Sequence, residues 1–411
     1  MNQETSPGLH AVHADPLRSR VAIVTTVHRW GDPRVFERHC SAAVSWGLEV
    51  HVFVPAKGLP KLPEWAKASR FHFHALPIPA GRLTRAGLAL TIGRYIVSAG
   101  EFQAVHFHDP ELIPAMVWMK RRSPQTRILY DIHEELPLEV LSKSYIPKLL
   151  RPGARVFANT LWWLAARHFD AFAPATEAIA MHWAPDKTRV VHNYPTQVFD
   201  SIEFQADPDP DRLVFMGAIT EIRGIREALA AVELLRPEFP NLVLELYGPI
   251  LEHTLTPCVE QAVACGYCSY TPWLSQSALS SRLQGAGVGL AMYLPEPSHL
   301  EALSTKLFEY MALGIPALVS DFPLWRRIIR QADSGTCAPP TVDGIASGLR
   351  TMLSNPHQLR VWSAKGKGAY RQHFRWEVEA QNLAWLYERV GLQLRVAESS
   401  TNGSNSSRRP L

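Results

Sequence analysis

The 411-residue sequence has little of what would make it a membrane-spanning, secreted or disulfide-bonded protein. No apolar run reaches the roughly 18 residues that a transmembrane helix needs. Residues 1–20 are polar and lack the apolar stretch of a secretory leader, so a cytoplasmic location is expected. The five cysteines (Cys40, Cys258, Cys265, Cys268, Cys337) are odd in number and scattered, which fits a reducing compartment better than a disulfide framework. Cys265 and Cys268 form a Cys-x-x-Cys, but without a second pair or nearby histidines they read as structural thiols. No basic run marks a nucleic-acid partner. No Gly-x-Gly-x-x-Gly follows the first apolar run, which reads VAIVTTVHRWGD, and this argues against a nicotinamide dehydrogenase.

What is present is the composition of a globular protein: 46% hydrophobic, 19% charged, 32 prolines and 24 glycines. A chain this long exceeds a single core, so two domains are expected. From Val21, short apolar runs (VAIVTT, LEVHVFVP, FHFHALPI, AVHFH, RILYDIH, AFAPA, RVVHN) alternate with helical stretches, as in a parallel sheet with crossover helices. After an acid- and proline-rich stretch the rhythm restarts with RLVFMGAI, LVLELYGP, VGLAMYL and PALVSD. The expected organisation is a disordered N-terminus at 1–20, a Rossmann-like domain at 21–198, a linker at 199–211 and a second Rossmann-like domain at 212–375. A helix at 376–392 is expected to join the first domain, and 396–411 is expected to be a disordered tail. Asp207-Pro-Asp-Pro-Asp211 mimics a metal-binding Asp-x-Asp, but it lies in the linker and no metal site is expected.

Charge is unevenly spread. Residues 1–200 hold 23 lysines and arginines against 17 acids, and residues 201–411 hold 19 against 21. Within the basic half, Lys143, Lys148, Arg151, Arg155 and Arg167 mix with Trp162, Trp163 and several leucines, a combination that suits an anionic membrane surface.

The most informative segment is Glu301-Ala-Leu-Ser-Thr-Lys-Leu-Phe-Glu309-Tyr-Met-Ala-Leu-Gly314 followed by a buried strand. Ser304 or Thr305 is a suitable N-cap, and free N–H groups at a helix start hold anions. Lys306 in that first turn opposes the helix dipole unless an anion sits beside it. Glu309, one turn on, can accept two hydrogen bonds from a vicinal diol. Upstream, Gly217-Ala-Ile-Thr-Glu-Ile-Arg223-Gly224 is a strand-to-helix turn whose glycines permit close backbone approach and whose arginine can grip phosphate.

The run STKLFEYMALGIPALVSDFPLW resembles the donor-binding segment of glycosyltransferase family 4, with Glu301 and Glu309 meeting its Glu-x7-Glu pattern. HFHDPELIPA, LYDIHEELP, VVHNYP, MGAITEIRGIREAL and FRWEVEAQNLAWLYERV extend the resemblance from Val21 to Leu392. It implies an α/β GT-B fold of two Rossmann-like domains with a cleft between them and C-terminal helices crossing back. It also implies a retaining, metal- and cofactor-independent transfer of a hexose from a nucleotide-diphosphate sugar to a glycan or lipid-linked acceptor in bacterial polysaccharide synthesis. By the same resemblance Glu309 holds the ribose, Glu301 the donor hexose and Arg223 the diphosphate. Gly217, Gly224, Ser304, Thr305 and Leu307 complete the donor site, with Lys306 beside the leaving group. The chain departs from the family at Ala218, where many members carry a basic residue. Ser304-Thr305 also stands where relatives often have a proline.

In the N-terminal half, His133 ends the run RILYDIH, at the strand end where α/β proteins bind ligands, and the resemblance sets it beside the transferred sugar. His106, His108 and Asp109 close AVHFHD, where the two histidines share a strand face and Asp109 turns away, so contacts to acceptor rather than zinc ligation are expected of His108 and Asp109. Asp32 and Pro33 read as an N-cap and first helical residue, with Gly31 and Arg34 able to approach a ligand. An epimerase on the same fold, or a scaffold that binds without turnover, would share these features.

Overall fold

A computed structural model describes residues 19–142, 146–196, 199, 207–274, 276–296, 300 and 302–395. Both expected disordered termini lie almost wholly outside them, as do Glu301, Lys143 and much of the expected linker. Two six-stranded sheets are present, each parallel in every recorded pairing. The first runs β3-β2-β1-β4-β5-β6, from β1 (Arg20–Val24), β2 (Glu49–Pro55), β3 (Phe71–Leu76), β4 (Ala104–Phe107), β5 (Arg127–Ile132) and β6 (Ala171–Pro174). The second runs β12-β11-β10-β7-β8-β9, from β7 (Asp209–Met216), β8 (Val243–Tyr247), β9 (Cys268–Thr271), β10 (Ala286–Ala291), β11 (Ala317–Ser320) and β12 (Gly335–Ala338). Each has the doubly wound order in which strand succession reverses once, beside β1 in the first sheet and beside β7 in the second. Ligands bind such sheets at the C-terminal strand ends next to that reversal.

The chain divides into two compact units. One holds the residues up to Tyr130 with His168–Ala171 and everything from Ala384, so the C-terminal segment belongs to the unit that begins the chain. There Arg395 N–H bonds to Trp46 O at 2.8 Å and Gln393 N–H to Ser19 Oγ at 2.9 Å. The other unit holds Asp131–Arg167 and Phe172–Leu383.

The second sheet is buried on both faces. Leu213 and Phe215 point into a core with helices Ile225–Leu235, Thr256–Ala264 and Val342–Leu353. Val214 and Met216, of opposite parity, point into a core with helices Thr305–Leu313, Pro323–Ala332 and Pro356–His373. Each fully buried aliphatic or aromatic residue stabilises such a core by about 1.5–3 kcal/mol. The run RVVHN (189–193), expected as a strand, is not one; a single bridge, Phe172 to Thr188, immediately precedes it. Its backbone follows β6 through Arg189 and Val191, then leaves the ladder where Glu379 takes both the N–H (2.9 Å) and the ring of His192. All five cysteines are free thiols, with Cys268 buried in β9 and Cys265 exposed.

Candidate functional site

At the C-terminal end of β7 the chain turns through Gly217 (φ +102°) and reaches Gly224 (φ +64°), which caps helix Ile225–Leu235. A Cβ on Gly224 would stand 2.0 Å from the carbonyl oxygen of Met292, so this left-handed turn packs directly on the chain leaving β10. Gly217 faces two cations: a Cβ there would meet Arg223 Nη1 and Lys306 Cε, each at 3.2 Å. Arg223 folds back over the turn, donating from Nη1 to Ala218 O at 2.8 Å, so the position that lacks a family basic residue is approached by this guanidinium.

Lys306 lies in the first turn of helix Thr305–Leu313 and is only 5% exposed. Its ammonium sits 3.9 Å above the Phe215 ring and 3.5 Å from Tyr293 Oη. Burial pushes its pKa well below the ordinary lysine value and Arg223 adds to the effect, while Glu309 opposes it. Among the described residues neither Arg223 nor Lys306 forms an ion pair. Ser304 occupies the N-cap position, yet its hydroxyl does not cap the helix and stands 3.5 Å from Tyr293 Oη. The helix start, with no acidic residue in its first turn, therefore adds its partial positive charge to the two cations. Thr305 and Glu309 are half-buried and Leu307 is fully buried, anchoring the helix to the core.

In the first sheet, Asp109 follows β4 and is 3% exposed. Its Oδ2 accepts from Thr25 Oγ1 (2.9 Å) and the Thr26 (2.5 Å) and Val27 (3.3 Å) N–H groups, tying the turn after β1 to the end of β4 at the reversal point. His28 bridges two carboxylates, with Nδ1 2.9 Å from Asp32 Oδ2 and Nε2 3.7 Å from Asp109 Oδ1. Asp32 Oδ1 accepts from the N–H groups of Arg34 and Val35, both at 3.0 Å, capping a π-helical segment Pro33–Cys40 that continues as helix Ser41–Ser45. Burial alone would raise the Asp32 pKa, but His28 and the Val35 N–H hold it well below the carboxylate range. Gly31 (φ +91°) is open on its Cα face, whereas Arg34 and His108 are buried. His108 stacks against His106 and His39, with ring centroids 4.8 and 5.4 Å away. Beside this turn lies an open cavity of about 730 Å³ lined by Thr26, Arg29, Trp30, Lys57 and Arg85 among others.

His133, one residue past β5, has Nε2 2.7 Å from Oδ2 of the fully buried Asp131. An ionised Asp131 fixes the tautomer with its proton on Nε2 and leaves Nδ1 as the basic nitrogen. Apart from His133, which stands by itself past β5, most of the predicted residues fall into two sets. Gly217, Arg223, Gly224, Ser304, Lys306 and Glu309 cluster around the ends of β7 and β10, and Gly31, Asp32 and Asp109 gather around the turn after β1. Glu301 lies outside the described residues. Sequence reasoning missed Tyr293, whose ring faces Arg223 (5.8 Å) and Lys306 (5.1 Å) and whose hydroxyl meets both Ser304 and Lys306. Its place just after β10, at the sheet's reversal, was the available signal. Thr25 and Thr26, which hold Asp109, were missed as well.

Residues 199–369 match the Glycosyl transferases group 1 family. The chain is 25% identical over 367 residues to a phosphatidyl-myo-inositol mannosyltransferase of Mycolicibacterium smegmatis, covering 85% of this chain and 89% of that protein. It is 25% identical over 186 residues to a glycogen synthase of Mycobacterium tuberculosis, covering 43% of this chain and 42% of the other. Among solved structures, a sucrose-phosphate synthase from Thermosynechococcus elongatus superposes with a TM-score of 0.68 at 17% identity, over 91% of this chain and 99% of that one. An E. coli structure described as trehalose-6-phosphate bound with UDP-2-fluoro glucose gives 0.67 at 12% identity, over 92% and 100%. The sheet order, the match over residues 199–369 and the named relatives agree with the fold and activity expected from the sequence: the chain is a glycosyltransferase with the GT-B fold.

Proposed function

We propose that this protein transfers a hexose from a nucleotide-diphosphate sugar to a glycan or lipid-linked acceptor, with retention of anomeric configuration, in the assembly of a bacterial surface polysaccharide. The observation that carries the reading is Lys306, buried at a helix start beside the half-buried Arg223, with neither of the two in an ion pair among the described residues. A buried lysine whose charge is only partly offset, here by Glu309, is costly, and a diphosphate would supply the rest of the counter-charge. The solved relative bound to UDP-2-fluoro glucose supports a nucleotide-sugar donor, and the mannosyltransferase and glycogen synthase relatives support a hexose.

As the anomeric carbon–oxygen bond breaks through an oxocarbenium-like transition state, negative charge grows on the departing diphosphate. Arg223, Lys306 and the helix start are preorganised to stabilise it, so neither metal nor cofactor is required for the transfer. Glu309 holds the ribose, Glu301 the hexose, and His133, oriented by Asp131, lies beside the transferred sugar. The cavity beside the first turn, with Arg29, Lys57 and Arg85 on its lining, suits an anionic acceptor.

The protein acts at the membrane surface. No helix among the described residues is long and apolar enough to cross a membrane. Helix Arg151–His168, however, buries Ala158, Leu161, Trp162 and Ala165 and leaves Val156, Phe157 and Trp163 (61%) exposed, continuing a face begun by Leu149 (90%) and Leu150. Exposed Lys148 and Arg155 flank it, the combination that binds anionic bilayers peripherally.

Incubation with a panel of nucleotide sugars, following release of nucleoside diphosphate with membrane extract as acceptor, tests the reading. Release from one donor, lost in Glu309→Ala, is expected. Thermal stabilisation by a donor with no release would favour a binding scaffold instead.

A further inference from the structure

Residues 292–294, leaving β10, run between the turn that carries Arg223 and the helix that carries Lys306. A Cβ at Gly224 would stand 2.0 Å from Met292 O, and Leu294 N–H donates to Ile222 O at 2.9 Å, so this stretch is fastened to the turn. Tyr293, between them, is fixed by further contacts. Ser320, fully buried in β11, donates from Oγ to Tyr293 O at 2.7 Å, and the Trp325 ring packs T-shaped on the Tyr293 ring at 5.2 Å. Trp325 is itself held by a 2.8 Å bond from Nε1 to Ala302 O. The phenol therefore has a set position, beside Lys306 and Ser304 at the start of helix Thr305–Leu313.

We propose, building on the reading that Arg223 and Lys306 receive a diphosphate, that Tyr293 is a catalytic residue whose phenol hydroxyl, polarised by the Lys306 ammonium, donates a hydrogen bond to that leaving group. An ammonium has only hydrogens to offer, so Tyr293 Oη accepts from Lys306 Nζ across 3.5 Å and turns its own proton to another acceptor. Ser304 Oγ, also 3.5 Å away, is at the outer limit of such a bond, whereas a phosphate oxygen is a charged and stronger acceptor. Catalytic hydrogen bonds of this kind are long before substrate arrives and tighten with it. A hydroxyl that accepts from a cation is the better donor, because each bond polarises the next. Lys306 is 5% exposed and Tyr293 half-buried, so the phenol carries the influence of a shielded charge out to the ligand.

The same side chain serves Arg223. Its ring lies 5.8 Å from Arg223 Cζ and 5.1 Å from Lys306 Nζ, both within cation–π range, so one ring eases the repulsion between two like charges. In the transfer the anomeric carbon–oxygen bond breaks and its electron pair stays on the diphosphate oxygen. Tyr293 keeps its proton and stabilises that charge by hydrogen bonding alone, a contribution that grows as the bond lengthens.

The test is a double-mutant cycle on the full chain with Tyr293→Phe, Lys306→Met and the two together. Phenylalanine keeps the ring and its packing on Trp325 and removes Oη alone. Calorimetric titration with inorganic pyrophosphate reads binding. Single-turnover release of nucleoside diphosphate, from the donor that the wild type turns over, reads the reaction. Tyr293→Phe should weaken pyrophosphate roughly tenfold, the loss of one bond to a charged group, and slow release about 100-fold. A larger loss in rate than in affinity marks an interaction that strengthens in the transition state, which a merely structural role would not give. In the double variant the two rate losses should fall short of multiplying by about tenfold, because Tyr293 without Lys306 is a weaker donor. Wild-type release by Tyr293→Phe, or losses that multiply in full, would overturn the assignment of Tyr293 while leaving the two cations in place. No pyrophosphate bound by the wild type, or Lys306→Met indistinguishable from wild type in both measurements, would overturn the reading of the two cations and the role of Tyr293 with it.

Discussion

Replacing Lys306 with methionine should stabilise the ligand-free protein while weakening nucleotide binding. The ammonium is 5% exposed, its carboxylate neighbour Glu309 only partly offsets burial, and Arg223 repels it. Desolvating an ion of this size costs several kcal/mol, while its stacking on Phe215 returns at most about 2 kcal/mol. A methionine of similar length keeps the packing, so a net gain of about 1–3 kcal/mol follows. For a unit of this size that is a rise of roughly 2–10 °C in Tm. The pH dependence supplies a signature. The folded-state pKa of Lys306 is depressed below its unfolded value of about 10.4, so in that window the unfolded chain holds more protons and wild-type stability climbs as pH rises. The variant should lose that slope. Losing a charge-assisted bond of about 1.5–3 kcal/mol should cut nucleoside diphosphate affinity roughly 10- to 150-fold in calorimetry. A destabilised Lys306→Met that binds nucleotide as wild type does would refute the reasoning.

Three further outcomes follow from the same physics. His192, between Glu177 (3.1 Å) and Glu379 (3.2 Å), would be lowered by burial, but its two carboxylates raise its pKa to about 9. Its stabilisation is fully present below the unfolded value near 6.5 and is lost as pH rises through about 9. His192→Gln should cost about 3 kcal/mol at neutral pH and flatten urea-unfolding profiles across that window. Asp131→Asn removes the carboxylate that sets the His133 tautomer, and initial-rate kinetics should show transfer falling on the order of 100-fold or more with donor affinity nearly unchanged. Phe157→Glu with Trp163→Glu should abolish co-sedimentation with anionic vesicles while leaving the melting temperature within about 2 °C, since both side chains are already exposed.

The parallel α/β rhythm was legible because interior strands, covered on both faces, read as unbroken apolar runs such as VAIV and AGVGLA. The edge strands β9 and β12 were not. Each has four residues, and Cys268-Ser-Tyr-Thr and Gly335-Thr-Cys-Ala carry the polarity of half-covered positions. Asp32 was readable as a cap because Asp-Pro encodes one locally. The oddity of Lys306 was also readable, as a cation at the wrong end of a helix dipole. Its burial and its contacts with Tyr293 and Phe215 were not, since they depend on residues 13 and 91 positions away in the chain. Ser304 shows the limit of local reading: it holds the N-cap position, but tertiary contact takes its hydroxyl to Tyr293.

The central claim, that Arg223 and Lys306 carry the charge of a departing diphosphate, is tested most directly by single-turnover release of nucleoside diphosphate at saturating donor. Arg223→Ala should slow release about 100- to 1,000-fold, the cost of removing one preorganised donor to a developing anion. Release at the wild-type rate would contradict the account.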